Sequence, residues 1–212
     1  GYNELYNHVQ SENYSTIFIH LDNNTNIHCL KVFLKQIQTF DYQTIVSKSG
    51  EENKNINSSV IIWEKLSNNN GDRKSLIINL GGGVVGDIGG FVASTFKRGI
   101  NYINIPTTLL SMVDASIGGK TGIDLGVLKN QVGTFYDPKM VLIDPLYLDT
   151  LNESELISGY AEIFKHSLIC DLIFFNKLIS QENSIDFKNL ETIKISIEIK
   201  NNIVLNDKKE LK

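Results

Sequence analysis

The apolar strand from Leu76 to Leu80 runs straight into GGGVVGDIGGFVAST, and no other junction restricts the fold as much. Glycine loses more backbone freedom on folding than any other residue, so clusters at 81 to 83, 89 to 90 and 118 to 119 need a compensating reason. Close approach of backbone N–H groups to an anion supplies one. Gly81, Gly83 and Gly86 satisfy G-x-G-x-x-G after a strand and before a helix expected to begin near Asp87, the setting in which a dinucleotide pyrophosphate lies over a helix N-terminus. A tight turn required only for packing satisfies the same pattern. An ordinary dinucleotide fold has this loop after its first strand and a ribose-binding acid about twenty residues later. Here at least two strands precede it, and Ile103 to Pro106 contains no acid.

The rest of the chain reads as strands alternating with helices. IFIHL at 17 to 21 is followed by turn-forming DNNTN and by helical spacing over 27 to 38; TIVSKSG is followed by NINSSVIIWEKLSNN; INYINIP and MVLIDP supply two more strands. That order predicts an α/β fold with a parallel sheet. The asparagine-rich stretches at 22 to 26, 53 to 57 and 68 to 70 are turn chemistry. From Leu151 glycine nearly disappears, and ESELISGYAEIFKHSLICDLIFFNKLIS and DFKNLETIKISIEIKNNIVLNDKK have helical periodicity. The expected division is an α/β domain over 1–150 and the start of a helical domain over 151–212.

The 212 residues are 42% hydrophobic with a formal charge of -4, enough for a real core and too acidic for non-specific nucleic-acid binding. No nucleic acid is expected as partner. No apolar run is long enough to span a bilayer, and GYNELYNHVQ is not a signal sequence, so no membrane association is expected either. Cys29 and Cys170 lie far apart in apolar contexts that suit buried thiols, which fits a reducing cytoplasm. The first residue is Gly1 and the last six are DKKELK, so a fragment of a longer chain is expected.

Loops after the first two strands carry Asp22 with Asn24 and Glu51 with Lys54, acids within reach of ribose hydroxyls if the strands' carboxyl ends gather; taken alone, each is more often a solvated turn. Thr107 and Thr108 follow Pro106 on the same edge. Asp114, Lys120, Lys129 and Asn130 fall in a glycine-rich region whose lysines flank turns, where compact ammonium groups suit a substrate phosphate; solvated loop lysines look the same. Arg98 closes the FVASTFKRG segment, where it also suits the helix dipole. Glu162, Lys165 and His166 share a helix face, and Glu-x-x-x-His offers two metal ligands or an exposed helix pair.

Taken in order, GGGVVGDIGGFVASTFKRGI, IPTTLLSMVDASIGGKTGID, LKNQVGTFYDP and SGYAEIFKHSLI resemble the 3-dehydroquinate synthase family of the shikimate pathway. The resemblance implies a Rossmann-like variant that binds NAD, followed by a helical domain with a metal site. It implies NAD contacts from Asp22, Asn24, Glu51, Lys54, Gly82, Gly83, Val84, Asp87, Thr107, Thr108, Lys129, Thr150, Leu151 and Glu155. Glu162 matches a ligand of Zn2+ or Co2+. Asp114, Lys120, Asn130, Lys165 and Lys200 match substrate-binding positions, and Arg98 matches an arginine that reaches the substrate phosphate across a homodimer interface. His166 matches no ligand.

The implied reaction converts 3-deoxy-D-arabino-heptulosonate 7-phosphate, a small sugar phosphate, to 3-dehydroquinate and phosphate. The family's two zinc-binding histidines come after a segment resembling DKKELK, so this chain alone is expected to be inactive. Leu128, Asn152 and Ser154 depart from the family pattern. Alternatives are another sugar-phosphate cyclase, of the 2-deoxy-scyllo-inosose or epi-valiolone synthase type, a related metal-dependent alcohol dehydrogenase, and a catalytically dead NAD-binding or dimerisation module.

Overall fold

The structure, a computed structural model, describes residues 1–37, 40–180 and 185–207. The tail from 208, including most of DKKELK, lies outside the described residues, as do the ends of two expected helices, at 38 and at 208 to 209. Five parallel strands, β1 (Ile17–Asp22), β2 (Gln43–Ser47), β3 (Leu76–Gly81), β4 (Asn101–Pro106) and β7 (Met140–Val141), form one sheet in the order β2-β1-β3-β4-β7. Between β4 and β7 the chain makes an antiparallel hairpin of β5 (Lys120–Leu125) and β6 (Leu128–Phe135). The helices are α1 (Tyr2–Glu12), α2 (Asn23–His28), α3 (Leu30–Gln36), α4 (Ile56–Asn68), α5 (Gly83–Thr95), α6 (Glu153–Cys170), α7 (Leu172–Ser180) and α8 (Leu190–Asn206).

Alternation of side chains along each strand divides the core into two layers. Ile17, Ile19, Leu21, Leu76, Ile78, Leu80, Ile103 and Ile105 pack on one face with Leu5 and Val9 of α1, Phe33 of α3, and Ile163, Phe174 and Ile193 of the last three helices. Phe18, Ile45, Ile77 and Tyr102 pack on the other with Ile62 of α4, Val92 of α5 and Ile123 of β5. Both faces are covered, which is why the strands read as near-continuous apolar runs. The first core continues from the sheet into the helices beyond Leu151 without a break.

Several details depart from expectation. Helix α5 begins at Gly83, not near Asp87, because strand and helix are joined by Gly82 alone. A side chain at Gly81 would meet the Val85 side chain at 2.5 Å, so the junction tolerates nothing larger there. The stretches at 22 to 26 and 53 to 57 are helix starts: Asp22 accepts from the Thr25 N–H at 2.8 Å and Asn55 from the Ser58 N–H at 3.1 Å. Helix α1 and the hairpin carried no expectation. Cys29 is buried as expected, whereas Cys170 is exposed at the end of α6. Among the described residues no helix is long and apolar enough to cross a membrane.

Candidate functional site

The strand order reverses direction between β1 and β3, and in open α/β sheets ligands bind outside the strands' carboxyl ends at such a point. A cavity of about 780 Å³ opens there. Asp22 and Asn24 line it after β1, Glu51 and Lys54 after β2, Gly82, Gly83, Val84 and Asp87 after β3, and Thr107 and Thr108 after β4. Thr150, Leu151 and Glu155, from the approach to α6, close the far side. Every residue assigned by resemblance to NAD lines this one space except Lys129, whose Nζ lies 3.1 Å from Glu51 on its edge.

The cradle follows from the glycines. Gly82 precedes α5 with no side-chain cap, so the first-turn N–H groups present their donors to the cavity. A Cβ at Gly82 would meet Thr108 at 3.0 Å, and one at Gly83 would meet only Ala115 at 3.6 Å. Behind the cradle a polar row crosses the buried sheet in register. His20 Nδ1 lies 3.1 Å from Asn79 Oδ1, and the Asn79 amide donates to Asn104 Oδ1 at 3.0 Å. His20 Nε2 lies 3.2 Å from Ser47 Oγ. Burial pushes the His20 pKa down to about 4, so the ring is neutral at pH 7. Sequence reading missed this row, although the paired endings IIN and YIN were its visible trace.

Asp87 and Lys54 form a wall with a second space behind it. The Lys54 side chain is 5% exposed, its Nζ lying 2.6 Å from Asp87 Oδ2 and donating to Asn130 Oδ1 at 2.5 Å. Burial pushes the Asp87 pKa up to about 6 despite the ammonium that lowers it. Beyond this wall a cavity of about 520 Å³ is lined by Asp87, Asp114, Lys120, Asn130 and Lys200. Asp114 stands on a π-helical turn over Ser111–Ala115, and Lys200 Nζ of α8 reaches its Oδ1 at 2.9 Å. Lys120 opens β5 just after the turn at 116 to 118, and Lys129 and Asn130 follow Leu128 at the start of β6, so the lysines flank turns as expected, on the two strands of a hairpin.

Glu162 and His166 are not an exposed pair. The His166 side chain is 1% exposed, its Nδ1 2.8 Å from Ser196 Oγ and its Nε2 3.4 Å from Glu162 Oε1. Burial lowers its pKa. Asp114, Glu162 and His166 offer ligand atoms all within 4.8 Å of one another, and two carboxylates with an imidazole suit a borderline divalent ion. The donor set therefore fits a metal. Lys165 bonds to Glu162 and, like Arg98, lines neither cavity. Arg98 is exposed at φ 72°. A further space of about 420 Å³ lies at the amino ends of β1 and β2, lined by Tyr14, Thr16, Phe40 and Gln43, away from the edge where such sheets bind ligands.

Comparison with known proteins shows the family and agrees with the fold. A family model described as 3-dehydroquinate synthase N-terminal matches residues 44–158. Curated 3-dehydroquinate synthases include one from Parabacteroides distasonis, 42% identical over 98% of this chain and 59% of its own length. One from Prochlorococcus marinus strain SARG is 48% identical over 81% of this chain and 48% of its own length. The chain thus spans about half to three fifths of these relatives. Among solved structures, 2-epi-5-epi-valiolone synthase from Streptomyces hygroscopicus, with NAD+ and Zn2+ bound, has a TM-score of 0.84 at 26% identity. The comparison covers 96% of this chain and 59% of that one. A 2-deoxy-scyllo-inosose synthase complexed with carbaglucose-6-phosphate, NAD+ and Co2+ matches in fold, with a TM-score of 0.84 at 24% identity over 99% of this chain and 60% of that one.

Proposed function

This chain belongs to the 3-dehydroquinate synthase family, and on that premise we propose that it carries the NAD site and part of the substrate site of an enzyme converting 3-deoxy-D-arabino-heptulosonate 7-phosphate to 3-dehydroquinate and phosphate. The observation that supports the reading most is the convergence of loops after four parallel strands on one cavity lined by the residues assigned to NAD. The α/β unit over 1–150 is the NAD domain, and 151–212 begins a helical domain for metal and substrate. A homodimer in the cytoplasm completes the proposal, with Arg98 contributing to the partner's site.

NAD would lie against Gly82, Gly83 and Val84 with Glu51 and Asp22 at its ribose hydroxyls, and Zn2+ or Co2+ would be held by Glu162; bound, they supply redox chemistry and Lewis acidity. The chain's own residues do the rest by position and charge. Lys120 and Asn130 hold the phosphate where it leaves, with charge-assisted bonds from the ammonium and orientation from the amide. Asp114, held by Lys200, accepts from substrate hydroxyls in the second cavity. The loop after β4 and residues 150–155 line the same cavity as the cradle and complete its wall.

Titrating NAD into the 212-residue chain tests the first half of this reading. Gly83→Val, at a position with room for a Cβ, should fold and weaken NAD binding at least about tenfold by filling the cradle. No NAD binding by the unaltered chain, or equal binding by the variant, would sink it. For the second half, full-length protein is given the heptulosonate phosphate, glucose 6-phosphate and sedoheptulose 7-phosphate separately. Phosphate release from the first alone is expected; turnover of either other sugar phosphate instead would make it a different cyclase.

A further inference from the structure

The hairpin is irregular where it meets the wall between the two cavities. Ile123 pairs with Val132 and Leu125 with Leu128, so Asp124 alone stands opposite residues 129 to 131. Bulges of this kind leave a backbone N–H unpaired and re-aim a side chain. The re-aimed residue is Asn130, at φ 54°, a left-handed conformation that asparagine tolerates better than most side chains but that still costs free energy unless a local bond holds it. Asp124 supplies the support: its Oδ1 accepts the Asn130 N–H at 2.7 Å. Its own N–H donates to the Lys54 carbonyl at 2.8 Å, and Asn55 bridges to it in parallel. The circuit closes through Lys54 Nζ, which donates to Asn130 Oδ1.

We propose that Asp124 is a positioning residue: it holds Asn130 in its left-handed turn and so fixes that amide on Lys54, making the wall shared by the two cavities one connected unit. Asp124 lines neither cavity; it acts through Asn130 and Lys54. The N–H bond needs an acceptor oxygen, which asparagine also offers, so Asp124→Asn should work where Asp124→Ala does not. That Asp124→Ala should weaken phosphate binding, through Asn130, rests on the substrate reading above; the positioning itself does not.

The test uses the 212-residue chain with Asp124→Ala and Asp124→Asn, read by amide hydrogen exchange and by the Asn130 side-chain amide resonances. In Asp124→Ala, exchange at the Asn130 N–H should rise about tenfold or more and its side-chain amide should lose the shift imposed by Lys54, while the amides of Ile123 and Val132 keep their protection. Asp124→Asn should restore both signals to within about threefold of the unaltered chain. Unchanged Asn130 signals in the alanine variant would overturn the proposal, as would failure of the asparagine variant to restore them. Inorganic phosphate titrated into the same proteins separates the two readings. A chain that binds no phosphate counts against the substrate assignment alone, whereas phosphate bound equally by all three proteins disconnects Asp124 from that site.

Discussion

Asp87 faces the Lys54 ammonium at 2.6 Å, yet desolvation outweighs that attraction and holds its pKa near 6 against an ordinary value of 3.8. The sign of the resulting linkage is fixed. The folded state keeps a proton that the unfolded state has lost, so this group's contribution is fully present below pH 3.8 and fades as pH rises through about 6. Urea unfolding at several pH values should therefore show Asp87→Asn gaining on the unaltered chain as pH climbs through that window. A constant difference between the two would refute the shift. Asp87 was legible only through the family resemblance, which assigns it to the NAD site. Asp124 was not, because an aspartate beside a glycine turn ordinarily solvates a loop, and its role appears only when a bulge brings Asn130 opposite it.

The unit from β3 through α5 depends on small residues for more than the cradle. An added Cβ at Gly89 would fall 1.8 Å from Asn79 Oδ1, and Asn79 is held from both sides by His20 and Asn104. Gly89→Ala should destabilise the fold by about 2–4 kcal/mol through overpacking and loss of the polar row. The midpoint and slope of urea denaturation measure it, and a loss below about 1 kcal/mol would mean Asn79 moves aside freely. Strands and helices of the sheet were readable from apolar runs and helical spacing because both sheet faces are covered. The hairpin was not readable: β6 is exposed along nearly its whole length, so burial imposes no alternation on it. Its two-residue turn opens at Gly126, φ 60°, as a type II′ turn requires, but that glycine was one among many.

Across the whole molecule, the helices after Leu151 present apolar side chains outward where α6 meets α7. Leu168, Ile169, Leu172 and Ile173 are 59%, 63%, 72% and 84% exposed. Surfaces of this kind drive association, so sedimentation velocity should show the chain self-associating in the micromolar range. Leu172→Glu with Ile173→Lys should reduce it, and a monodisperse monomer at high concentration would contradict the expectation. The helical periodicity was legible in the sequence, but not which faces lack cover, since exposure depends on neighbours rather than on spacing.

The larger cavity has a further consequence, for the order of assembly. Its walls come from segments between Asp22 and Glu155, so no nascent chain possesses it until the start of α6 has emerged and settled against the sheet edge. A dinucleotide captured there would staple the first strand's loop to residues made more than a hundred positions later. Synthesis and unfolding alike would then be sensitive to whether the cell has that ligand to hand.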